Sequence, residues 1–143
     1  MKYELIYHSV ANENNTSQDI KDILKEAREF NLSKNITGCL LAYNNEFLQI
    51  LEGEKVEVLS LYKNIVKDKR HIGPIILHQG EIQERVFPTW TMAYHEITDS
   101  ELTQVKDVMN ISEFEGFLTT MQKPTLAKKL FVSISKSMIQ LVQ

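Results

Sequence analysis

The spacing of apolar positions along the chain predicts an alternation of strands and helices. Residues 3–8 alternate with a period of two, which places Tyr3, Leu5 and Tyr7 on one face of an opening strand. After a polar turn, apolar residues recur at helical spacing, and Thr16 or Ser17 is suited to cap this first helix. The helical stripe consists of Ile20, Ile23, Leu24 and Ala27 and continues to Asn31.

The next part of the sequence predicts a hairpin, a second helix and two further strands. The apolar runs 36–43 and 46–51 flank Asn44-Asn45, a pair that tolerates positive φ and is typical of a tight turn. Strands are expected from Pro74 through Leu77 and over residues 90–95. The stripe of the second helix is Val58, Leu59, Tyr62, Ile65 and Val66. The order β-α-β-β-α-β-β favours an α+β fold with a ferredoxin-like core and both helices on one sheet face.

The C-terminal part of the sequence is predicted to be helical. Asp99 is suited to cap a short helix, and Pro124 fits the first turn of a last helix. The apolar stripe of that last helix is Leu126, Leu130, Ile134, Met138 and Leu141. Because this region is too short for a separate domain, we expect residues 1–97 to form the core domain and residues 98–143 a helical extension.

Composition and charge narrow the class of protein. The chain has 143 residues, of which 43% are hydrophobic and 24% charged, as is typical of one soluble globular domain. Its formal net charge of −3 argues against a nucleic-acid partner. The single cysteine, Cys39, excludes an internal disulfide and suits a reducing compartment. No apolar run reaches the ~20 residues that span a bilayer, and the N-terminus lacks a signal-peptide pattern. A cytoplasmic protein without a membrane partner is therefore expected.

The sequence lacks common catalytic signatures. It contains no phosphate-binding glycine loop, no metalloprotease histidine pair and no nucleophile elbow. The histidines, at positions 8, 71, 78 and 95, have no short ligand spacing, so no metal site is expected.

The most informative anomaly is a polar residue on an apolar strand face. Phe47, Gln49 and Leu51 point to the same side of the predicted third strand. A buried amide without partners costs on the order of 1–3 kcal/mol, so Gln49 requires a hydrogen-bond partner. That partner is either a neighbouring group, such as the backbone or the Tyr7 phenol, or a ligand.

Asn31 and Tyr7 raise the same question. Asn31 either caps the C-terminus of the first helix or meets a ligand. Tyr7 is either an ordinary strand tyrosine at the edge of the core or part of a site. The first strand, the third strand and the end of the first helix are able to converge, so Tyr7, Asn31 and Gln49 form one candidate site.

Eight short segments, in order along residues 3–95, resemble the BLUF family of blue-light sensors using flavin. They cover the opening strand, the first helix, the hairpin, the second helix, the following loop and the last strand. The segments are LIYHS (5–9), DIKDIL (19–24), AREFN (27–31), ITGCLL (36–41), FLQILEG (47–53), LY (61–62), DKRH (68–71) and FPTWTM (87–92).

The resemblance implies a ferredoxin-like fold with a flavin between the two helices, and it implies roles for individual residues. Tyr7 matches the family's electron-donating tyrosine, and Gln49 matches the glutamine whose rearranged hydrogen bonds shift the flavin absorption slightly to the red. Asn31 matches the asparagine that hydrogen-bonds the polar edge of the flavin. Trp90 and Met92 match a pair that exchanges places beside the glutamine. The remaining implied contacts are Ile23, Phe47 and Ile65 along the ring, and Arg28, Asp68, Arg70 and His71 near the polar end or the ribityl-phosphate chain.

The implied cofactor is FAD, with FMN as the alternative. Asn35 stands where the family commonly has glycine, and asparagine also tolerates the left-handed region. Phe30 replaces a frequent asparagine, and Asn64 replaces a frequent basic residue, so phosphate contacts carry over less well.

The family resemblance further implies a sensor that is not an enzyme. Because Trp90 and Met92 share a face of the predicted last strand with Tyr94, we expect this strand and the C-terminal helices to carry the signal to a downstream protein or across an oligomer. Homo-oligomerisation stays open.

Two other classes of function stay open at this point. A small acylphosphatase-like enzyme uses the same scaffold, because a fold does not fix a function. Such an enzyme needs an anion-binding loop after the first strand, and residues 8–12 lack that character. A colourless interaction module would keep Gln49 and Asn31 as satisfied core residues, and the colour of the purified protein separates both classes from a flavin sensor.

Overall fold

Strands and helices follow one another in the order that the apolar pattern predicts. A computed structural model describes residues 2–108 and 126–142. The elements are β1 (Lys2–Ala11), α1 (Ser17–Lys34), β2 (Thr37–Tyr43), β3 (Glu46–Glu54), α2 (Lys55–Lys67), β4 (His71–Ile82), β5 (Ala93–Glu96), α3 (Asp99–Val108) and α4 (Leu126–Val142).

The strands form one mixed, five-stranded sheet in the order β4-β1-β3-β2-β5. β1 is an interior strand, next to the edge strand β4, and pairs antiparallel with both β3 and β4. β2 pairs antiparallel with β3 and parallel with β5. This arrangement is the ferredoxin-like α+β fold predicted from the sequence, extended by β5 at one edge.

Local sequence signals explain the ends of several elements. Thr16 caps α1 through a capping box with Asp19, as predicted. The hairpin turn falls at Asn44 and Asn45, which adopt φ values of 47° and 63°. Gly38 is required on β2 because a Cβ atom there would lie 2.0 Å from the carbonyl oxygen of Ile50 on β3.

Three predicted boundaries were wrong. The last strand begins at Ala93 and not at Trp90, because the chain turns at Pro88, where Trp90 N–H donates to the carbonyl of Phe87. β4 begins at His71, ahead of Pro74, since an edge strand accommodates a residue without an N–H donor.

The third wrong boundary concerns α3. Thr98 caps this helix, since its Oγ1 accepts from Glu101 N–H over 3.1 Å and Glu101 Oε1 accepts from Thr98 N–H. Asp99 lies inside the first turn, where its carboxylate accepts a hydrogen bond from the Tyr43 hydroxyl.

The two faces of the sheet are covered by different helices. α1 and α2 pack on one face, as predicted, against a cluster that includes Leu5, Leu40 and Leu51. α4 packs on the opposite face, where Leu130 and Ile134 of the predicted stripe join Ile6, Cys39, Leu41, Leu48, Ile50 and Phe131. Pro124 and the side chains of Met138 and Leu141 lie outside the described residues. No helix within 2–108 or 126–142 has the length and apolar character needed to cross a membrane.

Candidate functional site

A cavity of about 180 Å³ lies between α1 and α2, over β3. Its wall comprises the inward faces of both helices, one side chain of β3 and the connection that leads into β4. Apolar side chains and a few polar groups converge there, which is the usual make-up of a small-molecule site. The lining residues are Ile23, Glu26, Ala27, Phe30, Asn31, Gln49, Leu61, Asn64, Ile65, Asp68, Arg70 and His71.

The cavity connects to a chain of three buried side chains. Tyr7 on β1 lies opposite Gln49 on β3, and its Oη donates a hydrogen bond to Gln49 Oε1. Gln49 Nε2 donates in turn to Met92 Sδ over 3.2 Å. Burial raises the pKa of the Tyr7 phenol far above its usual range, so Tyr7 is a neutral donor at physiological pH. Both ends of the Gln49 amide are therefore satisfied, and its partner at one end is the phenol that the sequence suggested.

Asn31 does not cap α1, although the sequence left that role open. The C-cap is Asn35, which adopts the left-handed conformation at φ 55°, while Asn31 lies one turn earlier with no exposed surface. Asn31 Nδ2 donates to the carbonyl of Thr91 over 2.6 Å. Its Oδ1 is buried and has no hydrogen-bond partner among the described residues. Since buried amide oxygens are rarely left unsatisfied, this atom indicates a ligand that brings a donor.

Charged groups gather at the end of the cavity next to the α2–β4 connection. Arg70 Nη2 donates to carboxylate oxygens of both Asp68 and Glu26 over 2.7 Å. The hydrogen bond from Arg70 lowers the pKa of Asp68. His71 lies deeper, with Nδ1 3.2 Å from the Ser9 hydroxyl, and burial lowers its pKa. This end of the cavity therefore presents a guanidinium held by carboxylates and a buried, neutral imidazole.

The structure brings most of the predicted site residues to one place. Seven line the cavity directly, namely Ile23, Asn31, Gln49, Ile65, Asp68, Arg70 and His71. Tyr7 and Met92 adjoin it through their hydrogen bonds to Gln49. Arg28 contributes through the backbone: its Nε donates to the carbonyl of Met92 over 3.0 Å and so holds the chain next to Gln49.

Two predicted residues lie elsewhere. Phe47 does not line this cavity; its ring packs edge-on to His71 at 5.5 Å and contributes to a second cavity near the start of α1. Trp90 packs against the core on the α4 side, whereas Met92 belongs to the core under α1 and α2. The expectation that Trp90 and Met92 share a strand face with Tyr94 was wrong, because both residues precede β5.

Five of the lining residues, Glu26, Ala27, Phe30, Leu61 and Asn64, were not among the predicted site residues, and sequence reasoning also missed two contacts. The Tyr62 ring on α2 packs edge-on against Tyr7, with centroids 5.4 Å apart. The helical stripe placed Tyr62 on the inward face, but the stripe does not specify which β1 residue it meets. The carbonyl of Thr91 was also missed, because a backbone acceptor leaves no signal in the residue types.

The arrangement suits hydrogen bonding to a partly polar ligand. An amide with a donor end and an acceptor end and a second amide with a spare acceptor line an apolar cleft, and a neutral phenol donates to the first amide. Within the ranges that the structure describes, no three His, Cys, Asp or Glu side chains cluster closely enough to hold a metal ion.

Comparison with known proteins gives consistent matches. The family model for sensors of blue light using FAD, BLUF, matches residues 3–93. The subunit beta of a photoactivated adenylate cyclase from Euglena gracilis is 39% identical over 89 residues, which are 62% of this chain and 10% of that protein. The chain thus spans about one-tenth of the length of this curated relative.

Two solved structures are similar over most of the chain. BlrB, a BLUF protein in its dark state, has a TM-score of 0.76 and 26% identity, covering 95% of this chain and 96% of that one. BlsA in its ground state has a TM-score of 0.72 and 37% identity, covering 79% of this chain and 74% of that one.

Proposed function

The chain belongs to the BLUF family of blue-light sensors, as its sequence predicts, and from this premise we propose that it binds FAD or FMN non-covalently between α1 and α2. The observation that carries the proposal is the buried, unpartnered Oδ1 of Asn31 in the wall of this cavity. A flavin carries an imide N–H at its polar edge, which is the kind of donor that this oxygen requires. Ile23 and Ile65 supply apolar surface for the ring.

We further propose that Tyr7 and Gln49 form the light-responsive pair. A bound flavin would supply blue-light absorption and an electron acceptor. Tyr7 would give up an electron and its Oη proton, which is directed at Gln49 Oε1, and would regain both afterwards, so that no net redox change remains. Rotation or tautomerisation of the Gln49 amide then changes which of its ends donates, and the hydrogen bond from Gln49 Nε2 to Met92 Sδ is lost.

The free energy of this hydrogen-bond rearrangement limits the structural change that it can cause. A rearranged hydrogen bond is worth only ~1 kcal/mol net, which biases a two-state element without unfolding the domain. We propose that Met92 passes the change to β5, α3 and α4, and that these elements signal to a downstream protein. The similarity to a photoactivated adenylate cyclase subunit supports a light sensor that is coupled to an output activity.

The test is the absorption of the purified chain reconstituted with FAD or FMN, before and after blue illumination. We expect a flavin spectrum that shifts slightly to the red in light and recovers in the dark. Tyr7→Phe should bind flavin but lose the photocycle, and Gln49→Leu should bind flavin but lose the red shift.

Matched controls are offered by a second tyrosine–glutamine pair in the same sheet. Tyr3 on β1 donates to Gln79 on β4 over 2.8 Å, away from the cavity. Tyr3→Phe and Gln79→Leu should therefore keep the photocycle. A colourless protein in the presence of excess flavin would contradict the proposed cofactor, and a red shift in Gln49→Leu would contradict the proposed switch.

A further inference from the structure

A buried carboxylate on the other face of β3 has no role in the site described above. Glu52 follows Gln49 by three residues, so its side chain points to the α4 face of the sheet. It has no exposed surface, and burial raises the pKa of its carboxyl group. An acidic residue in such a place needs a compensating set of hydrogen bonds.

Both oxygens of Glu52 accept hydrogen bonds from consecutive backbone amides. Oε2 accepts from Val86 N–H over 2.6 Å, and Oε1 accepts from Phe87 N–H over 2.9 Å. Thr37 Oγ1 approaches Oε1 at 3.4 Å and is itself held by Arg85 at 3.0 Å. The Glu52 carboxylate thus holds the connection between β4 and β5 through hydrogen bonds to residues 86 and 87.

The segment that Glu52 holds contacts α4 at one end. Phe87 is 1% exposed, and its ring packs edge-on against Phe131 of α4 with centroids 6.2 Å apart. The Phe87 carbonyl also accepts from Trp90 N–H, and the Trp90 carbonyl accepts from Gly38 N–H on β2 over 3.0 Å. This end of the segment is therefore fixed to the sheet and to α4.

The same segment reaches the Gln49 site at its other end. Thr91 accepts from Asn31, and the Met92 carbonyl accepts from Arg28 over 3.0 Å. Met92 Sδ accepts from Gln49. Residues 86–92 therefore join the α4 face to the cavity face around the edge of the sheet, with Glu52 as their anchor.

We propose that Glu52 is a positioning residue, whose carboxylate holds residues 86–92 so that Met92 meets Gln49 while Phe87 meets Phe131. Each of the two N–H groups donates to its own carboxylate oxygen, and a glutamine amide would place an NH₂ donor opposite one of them. The same carboxylate thereby fixes two contacts, one between Met92 and Gln49 and the other between Phe87 and Phe131. The functional part of this inference rests on the proposed role of Gln49.

The first measurement uses the unmodified, flavin-free chain. Scalar couplings through hydrogen bonds should link the Glu52 carboxyl carbon with the amide nitrogens of Val86 and Phe87. Their absence in a folded, assigned protein would overturn the proposal without any variant, and a failure to bind flavin would not affect this result.

The second measurement compares Glu52→Gln with Glu4→Gln in the flavin-free chain. Glu4 lies opposite Glu52 in register, is also buried on the α4 face, and bonds His78 and Lys128 in place of the 86–92 segment. In Glu52→Gln we expect amide exchange at Val86 and Phe87 to accelerate about tenfold or more, with shifted resonances of the Gln49 side-chain amide. Glu4→Gln should leave both unchanged.

Three further results would overturn the positioning role. One is a Glu52→Gln variant whose Gln49 side-chain resonances coincide with those of the parent. Another is an equal displacement of those resonances in Glu4→Gln, which would indicate a general effect of removing a buried charge. The last arises with flavin bound: unchanged dark recovery of the red-shifted state in Glu52→Gln, where we expect a change of several-fold, would separate Glu52 from the switch.

Discussion

The sheet face under α4 and the face under α1 and α2 differ in how their buried polar groups are satisfied. On the α4 face, Glu52 accepts from two backbone amides, and Glu4 is paired with Lys128 and His78. On the opposite face, Asn31 keeps a buried oxygen without a partner in the described chain, next to a cavity. Among the described residues, one face therefore completes its hydrogen bonds from within the chain, and the other leaves an acceptor that the proposed ligand would satisfy.

This difference indicates that the face under α4 contributes mainly to stability, whereas the opposite face carries the proposed site. The α4 face is filled by large, fully buried side chains such as Phe87 and Phe131, which leave little freedom to change. The face under α1 and α2 buries Tyr7 and Gln49 beneath an open cleft. Because a fold does not fix a function, it is the incomplete face that identifies the site.

The largest expected effect on stability comes from removing a large, buried side chain from the face under α4. Phe131→Ala should lower the free energy of unfolding by about 3–5 kcal/mol, because it removes a fully buried ring from a closed core. Ile23→Ala should cost about 2 kcal/mol or less, since Ile23 already borders a cavity. Urea denaturation of the flavin-free chain measures both, with Phe131→Leu as a milder control. Equal losses in the two alanine variants would remove the contrast between the faces.

A smaller effect should follow pH on the cavity face. Burial lowers the pKa of His71 in the folded state, so below its ordinary value of about 6.5 the unfolded chain binds more protons than the native one. Stability from His71 is therefore complete above that pH and is lost as pH falls, by up to ~1.4 kcal/mol per pH unit.

His71→Gln should remove this part of the pH dependence. Unfolding free energies measured at pH 7.5 and 5.5 test the prediction, and measurements between pH 7.5 and 8.5 act as the control, because His71 is neutral there in both states. A variant that loses as much stability as the parent between pH 7.5 and 5.5 would disprove the assignment to His71.

The smallest effect on stability is expected at the charged end of the cavity. Arg70→Gln removes ion pairs with Asp68 and Glu26 that are partly exposed, so the free energy of unfolding should change by less than ~1 kcal/mol. If Arg70 contacts the phosphate of FAD or FMN, the variant should bind either one about tenfold more weakly while its affinity for riboflavin stays the same. Fluorescence titrations measure these affinities, with the exposed Lys69→Gln as the control. An equal loss for riboflavin would place Arg70 away from the phosphate.

Periodicity predicted the layers of the fold because it reports local geometry. The alternation in residues 3–8 and 46–51 and the stripes of α1, α2 and α4 each specify which side of an element is apolar. The turn at Asn44-Asn45 was equally local, since two consecutive residues with positive φ suffice to define it. These features needed no knowledge of distant contacts.

Boundaries and partners were harder where a distant residue decides them. Asn31 and Asn35 are both plausible caps by type, and only the packing of α1 against residue 91 assigns Asn31 to the interior. Residues 90–92 read as part of a strand, yet their carbonyls accept hydrogen bonds from residues 38, 31 and 28. Propensity is a weak guide where such tertiary contacts compete.

By itself, the sequence determined the order of elements, the apolar faces and the candidate residues Tyr7, Asn31 and Gln49, since residue type and spacing along the chain carry that information. The tertiary structure decided that Met92, and not Trp90, meets Gln49, and that Glu52 anchors residues 86 and 87. It also showed that Asn31 Oδ1 remains without a partner in the described chain. Such outcomes depend on strand register and on the path of a connection between sheet edges, which bring together residues far apart in the chain.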